Sequence, residues 1–229
     1  MNYLLMCQTV GNLAGIPGCI PGVSPTTIVG AVGEFARVVG WVNIAWAEIQ
    51  RHRADWQWMR KDFSFDTVTH TGKYTVAMIG LTDFGSWVKD SFRIYLASIG
   101  TSNEIFLDQK DYDIFRDFYL YGVRRTTYNR PKMITQAPDY SLILGFAPDN
   151  IYTVVGEYYT TVKYMTLDAS IPEMPDRFHM AIVYRSLIKY GMYEAASEVI
   201  QENQTNYSEI LNKMEIDQTP KITFGPSLI

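Results

Sequence analysis

GEFARVVGWVNIAWAEIQRHRADWQWMRKDFSFD, residues 33–66, changes its repeat partway along, and that change decides the fold class. In its first half Phe35, Val38, Val42, Ala45 and Ile49 recur at steps of three and four. One face of a helix demands that spacing, and it predicts a helix from about residue 32 to 53. Trp41 and Trp46 fall off the stripe, where they serve a second contact with another element or another subunit. From Asp55 onward aromatic and β-branched residues take over, often alternating. DWQWMRKDFSFDTV (55–68), KYTVAMIGL (73–81) and WVKDSFRIYLASI (87–99) read as strands, with His70–Lys73 as a turn.

Working outward, a helix is expected at about residues 109–121, with Asp108 as its N-cap and Asp111 favouring the helix dipole. Strands follow in PKMIT (131–135), DYSLILGF (139–146) and IYTVVGEYYTTVKYM (151–165). Pro172 and Pro175 punctuate the entry to a helix with Met180, Val183, Tyr184 and Leu187 on one face. A second helix runs from about Tyr193 to Met214, with Ala196, Ile200, Asn203, Tyr207, Ile210 and Met214 near one seam. At the other end residues 2–14 form a short helix with Leu4, Leu5 and Val10 on its apolar side. GIPGCIPGVSPTTIVG (15–30) is a loop, because Pro and Gly recur too often for either repeat.

Helices at both ends and strands between them predict an α+β protein. Its expected parts are a helical bundle from residues 1–54 and 172–216, an inserted antiparallel β-rich domain with one helix at 55–171, and an extended C-terminal arm at 217–229.

Composition narrows the function. Of the 229 residues 47% are hydrophobic and 19% charged, which describes a folded chain rather than a disordered one. Aromatic residues reach 14%, a surplus that fits either a large core or extensive interfaces. The net charge of −4 makes no case for bulk nucleic-acid binding. Arg124, Arg125, Arg130 and Lys132 form one local basic group, read as a solvated loop. Cys7 and Cys19 make neither a disulfide framework nor a metal site. No apolar run reaches the roughly 18 residues of a membrane span.

Catalytic motifs are missing. Gly72-Lys73 lacks the rest of a phosphate loop, and no metal-protease, nucleophile-elbow or C-x-x-C pattern occurs. Residues 107–113 resemble a calcium loop but lack its Gly and terminal Glu, so helix capping accounts for their carboxylates. Asp83, Asp90, Glu157 and Asp168 fall at turns or strand edges. His52, His70 and His179 share no ligand spacing, and His179 reads as a helix-surface or satisfied core histidine rather than a base. Arg185, inside an apolar helix, needs a carboxylate at a helix–helix or subunit contact. No catalytic residue, cofactor or metal is expected, and the chain reads as no enzyme.

Five stretches carry a family likeness: Gly33-Glu34 opening the long helix; Asp55-Trp56-Gln57-Trp58; YDIFRDFYLYG (112–122); Arg130-Pro131; and IPEMPDRFHMAIVYRSLIKYGMYEAA (171–196) with Pro172, Pro175, Phe178, His179, Arg185 and Tyr190. In these the chain resembles the head–tail adaptor (connector) proteins of tailed phages. The resemblance implies a structural virion protein of the neck, assembled in the host cytoplasm without a membrane partner. It further implies a homo-oligomeric ring, a dodecamer matching the portal protein, through which DNA passes non-specifically. The β domain would face the next tail component, a nozzle or tail tube. The arm would reach the portal through Thr219, Pro220, Ile222, Phe224, Leu228 and Ile229. Trp41, Trp46 and Arg185 are the expected subunit or helix contacts. The competing reading is a tail or receptor-binding module that recognises host surface glycan.

Overall fold

A computed structural model of the chain describes residues 1–19 and 23–218. These form a mixed α+β protein with six α-helices and two sheets among the described residues. The chain divides into two compact units. Met1–Met59 joins the chain from Val162 onward, and Arg60–Thr161 forms the other.

In the first unit α1 (Tyr3–Leu13), α2 (Gly33–His52), α5 (Met180–Tyr193) and α6 (Ser197–Gln218) pack on one another. Helix α2 buries Phe35, Val38, Val42, Ala45 and Ile49, the stripe set by its repeat. Helix α1 departs from expectation. It buries Tyr3, Met6, Cys7 and Val10, while Leu5 is 46% exposed. Tyr3 sets this rotation, because its hydroxyl donates to the Val39 carbonyl of α2 at 2.7 Å. The Pro/Gly-rich loop returns over α1 at Gly11, where a Cβ would stand 2.7 Å from Cys19. Asp168 then clamps the end of that loop, accepting from Thr27 Oγ1 at 2.8 Å and from the Ile28 amide at 2.7 Å.

The second unit holds two sheets. In the first, β9 (Tyr152–Thr160) is the central strand. β1 (Arg60–Asp66) pairs antiparallel along one edge, from Arg60↔Tyr159 to Asp66↔Thr153. Its other edge is divided between β4 (Arg93–Leu96), opposite residues 152–155, and β3 (Phe84–Trp87), opposite residues 158–160. β5 (Ile105–Phe106) extends the sheet beyond β4. The second sheet runs β2 (Lys73–Tyr74), β8 (Leu142–Gly145), β7 (Met133–Gln136), β6 (Asp108–Gln109), with only the β6–β7 pair parallel among these. Alternation directs Phe63, Ile94, Val154 and Tyr158 of one sheet and Tyr74, Leu142 and Leu144 of the other into a shared aromatic-rich core. Ile143 points the other way, onto Phe115 and Tyr119 of α4 (Tyr112–Tyr119). Close approach there requires Gly145, since a Cβ would lie 2.9 Å from the Phe115 ring.

Three further sequence expectations need correction. KYTVAMIGL is not a strand beyond Tyr74: Val76–Ile79 is a helical turn, α3. Thr75 caps it by accepting from the Met78 amide, and Gly80 closes it at φ 86°. Asp108 is not the cap of α4. It lies in β6, its amide bonded to the Lys132 carbonyl, and Asp111 occupies the cap position. The last strand stops at Thr160 rather than continuing to Met165. Beyond it, two side-chain amides of α2 take over the role of a neighbouring strand. Gln50 donates to the Lys163 carbonyl at 2.8 Å and accepts from its amide at 2.9 Å. Asn43 does the same at Met165, at 2.8 and 2.9 Å. Extended backbone needs such partners wherever water is excluded.

His179 is fully buried just before α5. Its Nε2–H donates to the Met174 carbonyl at 3.0 Å, which leaves Nδ1 to accept from the Met1 ammonium at 2.5 Å. Burial pushes its pKa below the ordinary imidazole value. The Met174 carbonyl, Asp176 and the Pro172 carbonyl oppose that shift and the Met1 charge reinforces it. The folded pKa therefore lies under the unfolded one. The contribution is complete above about pH 6.5 and is lost as pH falls through the folded value. Urea midpoints are expected to drop from pH 7 to pH 5 in the native chain and to drop less in His179→Gln. Equal drops would remove His179 from the acid response.

Candidate interaction surfaces

Trp41 lies half-buried on α2 against two rings of α5, Tyr190 at 6.2 Å and Tyr193 at 5.7 Å between centroids. Arg37, one turn earlier, sits 4.4 Å over the Tyr193 ring and donates to its hydroxyl. This edge reaches solvent, since Tyr193 is 51% and Met192 63% exposed. Trp46 is buried and stacks on Trp58 at 5.2 Å; Trp58 stacks in turn on Trp56 at 5.9 Å. Arg185 Nε donates to Glu48 Oε2 at 2.7 Å, across the α2–α5 contact, and Lys189 donates to Oε1 at 2.6 Å. Burial alone would raise the Glu48 pKa, but these two cations hold it below the usual carboxylate value. Trp41 and Arg185 thus belong to one helix pair, and Trp46 to the ring stack beneath α2. The arm residues Thr219, Pro220, Ile222, Phe224, Leu228 and Ile229 lie outside the described residues.

The carboxylates expected at turns and strand edges are occupied by structure, and Glu157 lies within the central strand β9 rather than at an edge. Asp83 accepts from Tyr158 and Lys61, each within 3 Å, and Glu157 pairs with Arg60. Cys7 and Cys19 are free and buried, and burial followed by the Asp168 charge pushes the Cys7 thiol up to about 12. Among the described residues no group of three His, Cys, Asp or Glu side chains stands together as a metal site, and no helix is long and apolar enough to cross a membrane.

The β-rich unit carries three surface features. A shallow depression of about 660 Å³ is lined by both signs of charge, with Arg60, Lys89 and Arg93 facing Asp62, Asp90 and Glu157. A smaller cleft of about 300 Å³ is lined by His70, Lys73, Arg124 and Arg125 without a carboxylate. On α4, Ile114 (64% exposed) and Phe118 (47%) form an apolar stripe beside the buried Phe115 and Tyr119. The basic group read from sequence is therefore split. Arg130 turns inward and donates to the Asn103 carbonyl at 2.5 Å, while Arg124 and Arg125 remain on the surface. Sequence reasoning missed Glu48, the Asn43 and Gln50 clamps, and the approach of His70 and Lys73 to Arg124 and Arg125. None of these pairings carries a local signal: 137 residues separate Glu48 from Arg185, 122 separate Asn43 from Met165 and 113 separate Gln50 from Lys163, and about fifty lie between the two segments that line the cleft.

The chain belongs to the SU10 adaptor protein family, whose model matches residues 1–224, and this is a family of phage head–tail adaptors. No curated protein matches the chain. It is a phage structural adaptor on the strength of that membership.

Proposed function

We propose that the chain assembles as a ring of twelve that joins the portal to the next tail component in the virion neck and surrounds the DNA channel. The observation that carries this reading is family membership across nearly the whole chain. In it α1, α2, α5 and α6 act as a bundle, residues 60–161 contact the tail side, and residues 219–229 reach the portal. A closed ring of identical subunits needs two different faces on each copy. The solvent-reaching Tyr193–Met192 edge of α5 and the Ile114–Phe118 stripe of α4 supply apolar surface for such faces. Ile222, Phe224, Leu228 and Ile229 are the apolar anchors of the terminal segment in this reading.

The test is mass by light scattering with negative-stain imaging, with and without the cognate portal. Rings or portal–adaptor assemblies are the expected result. A chain that stays monomeric and ignores the portal overturns the reading, and glycan-array binding would then favour a receptor-binding module. Deletion of residues 219–229 is expected to leave the circular dichroism spectrum unchanged and to weaken portal attachment at least tenfold, about 1.4 kcal/mol. Undiminished attachment by the shortened chain would refute the arm.

A further inference from the structure

The cleft holding Arg124 and Arg125 stands out against the charge of the whole chain. The protein has 24 acidic residues and a net charge of −4, yet no carboxylate lines this cleft. Arg124 and Arg125 sit side by side on a short 3-10 turn, Gly122–Thr126, and both are exposed. Among the described residues neither has a carboxylate partner. Arg124 instead covers the Phe118 ring at 3.4 Å. Lys73 lines the same cleft. Its pairing with Asp139 at 2.7 Å joins two half-exposed side chains, an arrangement weak enough to yield to a better anion. His70 lies beside Lys73, its ring 4.0 Å from that of Tyr128, which is 46% exposed. The 660 Å³ depression of the same unit shows the ordinary pattern, in which Arg60 and Arg93 each meet a glutamate.

Adjacent guanidiniums without a counter-charge, beside an imidazole and a phenol ring, match one ligand chemistry. Guanidinium groups bind phosphate through paired N–H donors, and flat rings accept unpaired bases by stacking. We infer that this cleft binds the backbone phosphates of a single-stranded nucleic-acid segment, with the His70–Tyr128 ring pair receiving a neighbouring base. An acidic peptide would satisfy the arginines and leave the ring pair unused. The inference concerns the single chain and does not rest on ring assembly. A chain that forms no ring but binds nucleic acid here leaves it standing.

The experiment is fluorescence anisotropy of the full chain with a fluorescein-labelled oligothymidylate over a series of salt concentrations. Binding is expected to weaken with salt. R124E/R125E is expected to reduce affinity at least tenfold and to flatten the log–log salt slope by about 1.5, as loss of two single-strand phosphate contacts requires. Tyr128→Ala is expected to reduce affinity for oligothymidylate several-fold and to leave binding of inorganic pyrophosphate unchanged. K89E, in the other depression, is expected to change nothing. Should the double variant misfold by circular dichroism, K73Q reads the same cleft from a second lining residue, with a smaller loss. Absence of binding at low salt overturns the inference, as do equal losses in K89E. Displacement of the oligonucleotide by polyglutamate at lower concentration than by unlabelled oligothymidylate assigns the cleft to an acidic protein partner and also overturns it.

Discussion

Trp56→Ala is expected to destabilise the helical unit by about 3–5 kcal/mol, the range for deleting a large buried aromatic side chain. Trp56 is fully buried, its indole N–H donates to the Ile49 carbonyl at 2.9 Å, and its ring is the end of the Trp46–Trp58–Trp56 stack. Ile49 lies in the last turn of α2, where carbonyls lose their helical partners. The alanine variant therefore opens a cavity and also leaves that carbonyl unbonded in a dry site. Urea unfolding followed by tryptophan fluorescence reads the loss, because Trp41, Trp46 and Trp58 remain in this unit as reporters. Trp56→Phe keeps a six-membered ring in the stack but gives up the indole N–H and part of the indole volume, so its loss should be about 1–3 kcal/mol. Equal midpoints for the native and alanine chains would show that the stack is no part of the core.

Glu48→Ala is expected to lower stability by about 2 kcal/mol. Breaking a buried ion pair from one side costs about 3–5 kcal/mol, and solvent contact over about a third of Glu48 reduces that figure. The remaining loss comes from α5, where Arg185 and Lys189 would keep their charges without the carboxylate that both now share. The pH dependence has a definite sign. A carboxylate held below its usual pKa stabilises fully above the unfolded value near 4.3, and this share is lost as pH falls through the folded pKa. Native and variant chains should therefore converge in stability only as the pH falls through the folded pKa of Glu48, beneath the unfolded value. A constant difference from pH 7 to pH 3 would place the effect in packing rather than charge.

Helix α2 was legible in the sequence because a single stripe of five apolar residues determines its buried face. Trp46 was not placed by that stripe. It is covered by Trp58, which comes back under the helix after the turn at Asp55, a return that no local repeat encodes. Helix α1 was legible as a helix but not in its facing. Tyr3 outranks Leu4 and Leu5 because it has both a large ring to bury and a hydroxyl to satisfy. The turn at Val76–Ile79 carried readable signals, Thr75 and Gly80 at its two ends, but the alternation of Tyr74, Val76 and Met78 argued for strand. Short elements are decided by their caps more than by their repeat.

The candidate sites divide along the same line. Arg185 announced its need for a carboxylate by sitting in an apolar helix, yet Glu48 lies 137 residues earlier and its partnership is purely tertiary. The basic group at residues 124–132 was visible as a cluster, but nothing local marks Arg130 as the one that folds inward while Arg124 and Arg125 stay out. That separation depends on the Asn103 carbonyl, which arrives from a different strand connection.

The pairing of β1 with β9 places the first and last strands of the inserted unit side by side, Arg60 opposite Tyr159. Both chain crossings therefore occur at one doorway. Such an arrangement makes residues 60–161 an exchangeable cassette. The length and sequence between those strands can change without moving the points of entry and exit, provided that β1 and β9 stay paired.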